Sequence, residues 1–194
     1  MLFTIRLLHP GPARCLLTAC LVATLAGCSS LGPGPTTATP TPAQADDAAV
    51  LAAFGSLGFY PARLAPHAIR LDLPTNDGFA SGSAELQLPM QRTLDAVAGQ
   101  FNSPLLQGWQ MLVVGHADDR GSDTENQVMS VARASNVARH LVAKGTDPAR
   151  IQTEGRGERE PLATNDRRYG RELNRRVELF LHLGPLPAAV TAPR

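Results

Sequence analysis

The chain has 194 residues and a formal net charge of +1, from 18 lysines and arginines against 17 aspartates and glutamates. This balance lacks the basic excess that is typical of nucleic-acid-binding proteins, so we expect no nucleic-acid partner. The length accommodates one domain of roughly 115 residues with its own core, beside terminal segments of different composition.

The first 27 residues have the pattern of a secretion signal. Two arginines and no acidic residue precede an apolar run of about a dozen residues, Cys15–Ala26, which is too short to span a membrane and has the length of a signal-peptide core. The run ends in Leu-Ala-Gly-Cys at residues 25–28, which is similar to a bacterial lipobox. We therefore predict a lipoprotein signal peptide over residues 1–27 and lipidation of Cys28. The alternative is a plain secretory signal in which Cys28 stands by chance.

Cysteine usage agrees with a lipoprotein. Cys15 and Cys20 lie inside the segment that cleavage would remove, so the mature chain would hold Cys28 alone and could form no disulfide within itself. Ser29 follows the cysteine, and a residue other than aspartate at this position resembles the outer-membrane sorting signal of enterobacterial lipoproteins. We expect a lipid-anchored protein of the cell outer membrane whose domain faces the periplasm.

Two segments separate this anchor from the main domain. Residues 28–47 hold the cysteine and a linker rich in proline, threonine and alanine, which favours a semi-rigid polyproline II chain with a reach on the order of 50 Å. Residues 48–66 are predicted to include a short helical segment, because Val50, Leu51, Phe54 and Leu57 have the spacing of one apolar helix face. We expect this helix to pack on the main domain.

The main domain is predicted over residues 67–184, with a disordered tail at 185–194. Short apolar or alternating runs predict four strands: Ile69–Leu73, Met111–Val114, Ile151–Gly155 and Val177–Leu181. A first helix would begin near Pro89, with Met90, Leu94, Val97 and Phe101 as its core stripe. The order β-α-β-α-β-(α)-β predicts an α/β fold, an α+β sandwich with one mixed sheet and helices packed on one face.

A second helix is predicted from about Asp123 to Lys144. On a helical wheel Val128, Val131, Ala132, Ala138 and Val142 cluster on one side, which we interpret as the core face. Asn126, Ser130, Arg133 and Val137 form a second stripe roughly opposite, beside the polar loop that carries Asp118. A strand end, a polar loop and a helix start are the usual walls of a ligand site in an α/β layer.

Two motifs in this region resemble the C-terminal domain of OmpA, a peptidoglycan-binding family that also includes Pal lipoproteins and MotB-type stator proteins. The matching residues are Gly115-His116-Ala117-Asp118, Gly121, Asn126, Ser130, Arg133-Ala134 and Asn174 to Glu178. The chain departs from the family pattern at Ala117, where threonine is usual, and at Met129, where leucine is usual. Loss of the threonine hydroxyl would remove one possible ligand hydrogen bond, whereas methionine conserves the volume of leucine.

The resemblance implies that Asp118 and Arg133 are the ligand pair. Asp118 would accept an ammonium group and Arg133 would grip a carboxylate through a planar two-point contact, and diaminopimelate in a peptidoglycan stem peptide carries both groups. Asn126 would position the loop or the peptide backbone, and Arg175 would add a contact. The implied protein is an outer-membrane lipoprotein that binds stem peptides non-covalently and tethers the outer membrane to the cell wall, without cofactor or metal.

Other interpretations of these residues remain open. From residue types alone, Asp118 and Arg133 could form a structural ion pair. His116 is interpreted as a satisfied histidine at a strand end, and Asp119 and Arg120 as solvated loop charges. Three further arginines, Arg167, Arg168 and Arg171, indicate a solvated face or a surface for a partner or for glycan.

Two other functions compete with wall tethering. An adaptor in an envelope complex, either Pal-like or part of a secretion system, would use the same binding domain with partner proteins. A cell-wall hydrolase would need a metal site or an acid-base pair, for which His116, Asp118 and Asp119 crowd one loop. The sequence offers neither a second His or Cys cluster nor a Ser or Cys nucleophile in a known motif, so we expect no enzyme.

Overall fold

Nine helices and strands follow one another in the part of the chain that the computed structural model describes, which comprises residues 42–73, 78–80 and 82–186. In chain order they are α1 (Pro42–Ser56), β1 (Ala62–Ala65), β2 (Ala68–Leu73), α2 (Leu88–Phe101), β3 (Trp109–Gly115), α3 (Asp123–Ala143), β4 (Ile151–Gly155), α4 (Arg168–Asn174) and β5 (Val177–Leu183). These elements belong to the compact unit Ala38–Arg194. The predicted signal peptide, Cys28, most of the linker and the tail from residue 187 lie outside the described residues. No helix in the described ranges is long and apolar enough to cross a membrane.

The strands form one mixed sheet in the order β1-β2-β5-β3-β4. β3 and β4 run parallel, and the other neighbours are antiparallel. The last strand, β5, therefore lies at the centre and is paired along its length with both β2 and β3. The predicted fold class, with one mixed sheet in an α/β arrangement, is confirmed.

The edge strand β1 is an element that the sequence did not predict. It lies in the segment that we expected to be helical, and it pairs with β2 across a tight turn at His67, whose φ is 60°. The strand has only four residues, Ala-Arg-Leu-Ala, between Pro61 and Pro66. A run this short with no apolar and polar alternation gives no strand signal.

One face of the sheet carries the main core and receives the first three helices. Val50 and Phe54 of α1, the whole predicted stripe of α2 and Val137 of α3 join a single buried cluster. The strands contribute their inward residues to it: Ile69, Leu71, Leu73, Trp109, Met111, Val113, Val177, Leu179 and Leu181. The packing of α1 on the main domain is therefore confirmed, as is the core stripe of α2.

Helix α1 begins earlier than expected. Its first residue is Pro42, inside the segment that we assigned to the linker, and proline is favoured in the first turn because its missing N–H would have no partner there. Leu57 falls beyond the helix end and is 40% exposed, so it is not part of the packed face.

A buried carboxylate fixes α1 to the β1–β2 hairpin. Asp47 is 1% exposed and accepts hydrogen bonds from Arg63 Nη2 at 2.6 Å and from the backbone N–H of His67 at 3.0 Å. Burial would raise the pKa of Asp47, but the hydrogen bonds from His67 and the charge of Arg63 outweigh it and lower the pKa. The helix next to the predicted linker is thus held by specific polar contacts as well as by its apolar face.

The predicted core face of α3 is wrong. Val128, Val131 and Val142 are exposed at 65, 41 and 38%, and of the predicted core residues only Ala138 lies on the buried face. The stripe that we placed opposite the core is buried instead. The buried residues of α3 are Asn126, Ser130, Arg133, Ala134, Val137, Ala138 and Leu141.

The reason for this orientation lies in two paired glycines beneath the helix. Gly115 and Gly155 lie opposite each other on β3 and β4, and a Cβ at either position would come within 3.0 Å of Ser130 atoms. The helix therefore approaches the sheet so closely at this point that only a small side chain fits beneath it. Ser130 meets this need, and its hydroxyl donates to Gln127 O at 2.9 Å and accepts from Gly157 N at 3.0 Å.

Candidate ligand-binding site

A pocket lies where the C-terminal end of β3, the first turns of α3 and helix α4 meet, opposite the segment that precedes α2. Its lining includes Phe79, Ala117, Asp118, Arg120, Glu125, Asn126, Met129, Arg133, Arg168, Arg171, Glu172 and Arg175. All four residues that the sequence nominated for ligand binding are among them. Their positions come from three separate elements, so only the folded sheet brings them together.

Asp118 is placed at the base of this pocket by the loop that follows β3. The loop is anchored by backbone hydrogen bonds from His116 N to Arg176 O at 2.9 Å and from Ala117 N to Gly157 O at 2.8 Å. The Asp118 side chain is nearly buried, at 8% exposure, and Arg175 Nη1 contacts its Oδ2 at 2.6 Å. Its other oxygen, Oδ1, accepts from the backbone N–H of Arg120 at 3.3 Å.

Asn126 holds this loop against α3. Its Nδ2 donates to the backbone oxygen of Asp118 at 3.0 Å and to Glu158 Oε2 at 2.7 Å. The helix itself starts with a capping box, in which Ser122 and Glu125 satisfy each other's backbone N–H groups. The amide therefore positions the carboxylate loop, which is one of the two roles that the resemblance implied.

Arg133 lies on the buried face of α3 and is 8% exposed. Its Nε donates to Ser83 O at 3.2 Å, and its guanidinium carbon lies 5.3 Å from the centroid of the Phe79 ring. No carboxylate lies within ion-pair distance of this guanidinium among the described residues. Burial lowers the pKa of Arg133, and the neighbouring charge of Arg175 lowers it further, while Asp118 raises it.

Asp118 and Arg133 therefore do not form the structural ion pair that residue types alone allowed. Asp118 is paired with Arg175, and Arg133 is held by a carbonyl and an aromatic ring. The pocket thus presents one carboxylate and a separate buried guanidinium. A zwitterion can satisfy both, because its ammonium can approach Asp118 while its carboxylate approaches Arg133.

A buried polar group supports the carboxylate loop from the other side of the sheet. His116 is 1% exposed, and its Nε2 lies 3.3 Å from Glu178 Oε2, while Arg176 Nε donates to Glu178 Oε1 at 2.8 Å. Burial would raise the pKa of Glu178, but the hydrogen bond from His116 and the charge of Arg176 outweigh it and lower the pKa to about 2. His116 thus lies at a strand end as predicted, but it is satisfied at only one ring nitrogen, because its Nδ1 is buried without a hydrogen-bond partner among the described residues.

Several lining residues were not nominated as site residues from the sequence. Phe79 lines the pocket from a segment whose sequence predicts an irregular polar stretch. No local pattern places this ring, or the nearby carbonyl of Ser83, against Arg133. Arg168 and Arg171 precede Arg175 by seven and four residues. This is a helical spacing, and it could have indicated that all three arginines lie on the same side of α4. Among the described residues, no group of three or more His, Cys, Asp or Glu side chains could hold a metal ion.

The sequence and the fold are similar to those of known proteins. The model of the OmpA family matches residues 78–175, which are about half of the chain, and the chain belongs to this family. It is 36% identical over 115 residues to outer membrane protein A of Bordetella avium, covering 59% of this chain and 58% of that protein. It is 33% identical over 101 residues to the peptidoglycan-associated lipoprotein of Pseudomonas aeruginosa, covering 52% of this chain and 58% of that one.

Among solved structures, the cell wall anchor of the T6SS from Pseudomonas aeruginosa is similar, with a TM-score of 0.59 and 33% identity. The match covers 70% of this chain and 96% of that one. Against the curated relatives, by contrast, the chain spans little more than half of their length. The residues that the OmpA family model matches include Asp118, Asn126, Arg133 and Arg175.

Proposed function

We propose that the domain binds peptidoglycan non-covalently by taking the diaminopimelate side chain of a stem peptide into this pocket. One observation carries the proposal: Arg133 is a buried guanidinium with no carboxylate partner in the described part of the chain, beside a carboxylate that another arginine holds. An unpaired buried charge is costly, so such a site favours an anionic group of the ligand. The similarity to a peptidoglycan-associated lipoprotein and to a cell wall anchor supports binding to the cell wall.

In this proposal each residue has a distinct role. Arg133 contacts the carboxylate of the diaminopimelate side chain, and Asp118 accepts its ammonium. Arg175 holds Asp118 in the free protein and adds a contact to the bound peptide, while Asn126 keeps the loop in place. Ala117, which stands where the family usually has threonine, contributes no hydroxyl.

The expected affinity of one site is modest. Each charge-assisted hydrogen bond contributes about 1.5–3 kcal/mol net, and two or three of them must offset the entropy cost of association. Peptidoglycan presents many copies of the same stem peptide, so the local concentration of ligand near an anchored domain is high. Weak individual binding is therefore compatible with firm attachment.

We further propose that lipid on Cys28 holds the protein in the outer membrane and that the domain tethers this membrane to the wall. The lipobox-like sequence and the proline-rich linker support this role. The thirteen residues 29–41, which precede α1, would reach about 40 Å at about 3.1 Å per residue and let the domain contact peptidoglycan in the periplasm. A role as an adaptor in an envelope complex is the alternative. It is favoured by the similarity to the T6SS anchor, which this chain covers almost completely.

Incubation of the purified protein with peptidoglycan sacculi tests binding and separates it from catalysis. We expect co-sedimentation that free diaminopimelate reduces, with no release of soluble muropeptides. Absence of co-sedimentation would contradict the proposed function, and release of muropeptides would establish the hydrolase that we do not propose.

A further inference from the structure

We propose that the arginine-bearing face of α4 is a second anion-binding subsite, which recognises a stem-peptide carboxylate other than that of the diaminopimelate side chain. This inference rests on the function proposed above and concerns a different part of the same pocket. It assigns a ligand group to Arg168 and Arg171.

The pocket lining has more cationic than anionic side chains, which favours a ligand with more carboxylates than ammonium groups. Five arginines line it, at 120, 133, 168, 171 and 175, against the three acids Asp118, Glu125 and Glu172. Each acidic side chain already has a partner in the protein. Asp118 contacts Arg175 at 2.6 Å, Glu125 accepts from Ser122 N at 2.8 Å, and Glu172 contacts Arg168 at 2.7 Å. Within the described residues, Arg120, Arg133 and Arg171 have no carboxylate partner, so the pocket carries a positive excess.

Helix α4 and the residue after it place three of the five lining arginines in a row. Arg168 and Arg171 lie on α4, and Arg175 is the C-cap residue that follows it. At i, i+3 and i+7 the three arginines are on the same side of the helix. At about 1.5 Å of rise per residue, Arg171 lies about 6 Å and Arg168 about 10 Å along the helix from Arg175. An extended peptide advances about 3.3–3.6 Å per residue. The groups one or two residues away from a bound diaminopimelate can thus reach these arginines.

The two arginines are held so that they can still accept a ligand. Arg171 is half-buried, and its Nη1 donates to the backbone oxygen of Asn165, which leaves the rest of its planar group for an anion. Arg168 is 89% exposed and pairs with Glu172 one helical turn later, a pair that solvent screens. Arg171 is therefore the stronger contact, and Arg168 strengthens the local positive field.

A stem tetrapeptide has the matching chemistry. Besides the diaminopimelate side chain it carries two carboxylates, on the neighbouring isoglutamate and on the C-terminal alanine. Its N-terminal nitrogen is acylated where the stem joins the glycan, so the diaminopimelate side chain supplies its one ammonium group. Either carboxylate can accept two parallel hydrogen bonds from a guanidinium. Amidation of one or the other distinguishes the two sources.

Titration of the full-length protein in detergent with four N-acetylated tetrapeptides tests the inference: otherwise unmodified, isoglutamate-amidated, C-terminally amidated, and amidated at both positions. The protein variants are Arg168→Gln and Arg171→Gln, singly and together. The matched control is Arg167→Gln, because this neighbouring arginine is exposed and does not line the pocket. Circular dichroism reports whether each variant is folded.

We expect the double variant to bind the unmodified peptide about fivefold to tenfold more weakly than the wild type. Amidation at the recognised carboxylate should weaken the wild type by a similar factor and have no further effect on the double variant. The Arg167 control should behave as the wild type. The subsite would be overturned if the double variant lost the same factor of affinity, relative to the wild type, for all four peptides. It would also be overturned if the double variant bound the unmodified peptide as tightly as the wild type. A wild type that binds none of the peptides would instead overturn the proposed function.

Discussion

Glu178 shows how a single buried residue connects the sheet to the ligand loop. Its carboxylate contacts His116, which follows β3, and Arg176, which precedes β5, and its side chain is 3% exposed. His116 stands two residues before Asp118, so the same histidine that stabilises the carboxylate also fixes the beginning of the site loop. A charge change at Glu178 is therefore expected to affect both stability and the site.

The lowered pKa of Glu178 predicts a specific acid sensitivity. A carboxylate whose pKa falls from 4.5 to about 2 on folding stabilises the protein above pH 4.5, and this contribution is lost as the pH falls toward 2. The contribution is on the order of 3 kcal/mol at neutral pH. Urea unfolding of wild type and Glu178→Gln between pH 7 and pH 3 should show a difference that narrows below pH 4.5. A difference independent of pH would contradict this account of Glu178.

Arg133 is expected to have a structural role in addition to ligand binding. Replacement by alanine removes the hydrogen bond to Ser83 O and the stacking on Phe79, so we predict a loss of about 1–2 kcal/mol in the free energy of unfolding. The matched control is Arg120→Ala, since Arg120 lines the same pocket but is exposed, and its stability should change by less than about 0.5 kcal/mol. Equal stabilities of the two variants in urea would show that Arg133 does not hold the segment before α2.

At the scale of elements, helix α3 shows what periodicity can and cannot establish. Its bounds were predictable, because Ser122 and Glu125 mark its start and Gly145 follows its end. The orientation of α3 was not predictable, because Val128, Val131 and Val142, which define the apolar side of its helical wheel, face solvent. What decides the buried face is the close approach at Gly115 and Gly155, a contact between distant parts of the sequence.

The packing of α3 on the glycine pair gives a prediction for Gly155→Ala. The added Cβ would come within 3.0 Å of Val131 and Ser130, so the helix must move, and we expect a loss of about 1–3 kcal/mol in unfolding free energy. Gly99→Ala is the control, because this glycine lies in α2 with no atom within 4 Å of the new Cβ. Alanine should there stabilise the helix by up to about 1 kcal/mol. Thermal unfolding of both variants checks the contrast, and a stabilised Gly155→Ala protein would contradict it.

The candidate site was predictable where motifs exist and not elsewhere. Asp118, Asn126, Arg133 and Arg175 were nominated from two short motifs, and the structure places all four on one pocket. The partner of Asp118 was not predictable, because α4 returns to the β3 loop only through the insertion of β5 into the sheet. The position of Phe79 in the pocket lining was not predicted for a similar reason, because it depends on the tertiary contact between its ring and Arg133 of α3.

At the scale of the whole molecule, the proposed lipid anchor on Cys28 would determine where the domain can act. Residues 1–41 lie outside the described part, so the prediction comes from sequence: Cys28→Ala should abolish lipid labelling and leave a soluble or uncleaved protein. Cys20→Ala is the matched control, because Cys20 lies within the predicted signal core and should be processed normally. Fractionation of cells with radiolabelled fatty acid makes the comparison. A Cys28→Ala protein that remains mature in the outer membrane would contradict lipid anchoring.

In the proposed site, Arg133 binds the diaminopimelate carboxylate and Asp118 binds its ammonium. Titration of the full chain with two matched stem peptides, one with diaminopimelate and one with lysine in its place, tests this assignment directly, because lysine keeps the ammonium and lacks the carboxylate. We predict that the wild type prefers the diaminopimelate peptide at least about tenfold, or about 1.4 kcal/mol. A folded Arg133→Gln protein should lose this preference, and Asp118→Asn should weaken both peptides alike. If folded Arg133→Gln keeps the full preference, or Asp118→Asn binds as the wild type does, these residues do not form the ligand pair.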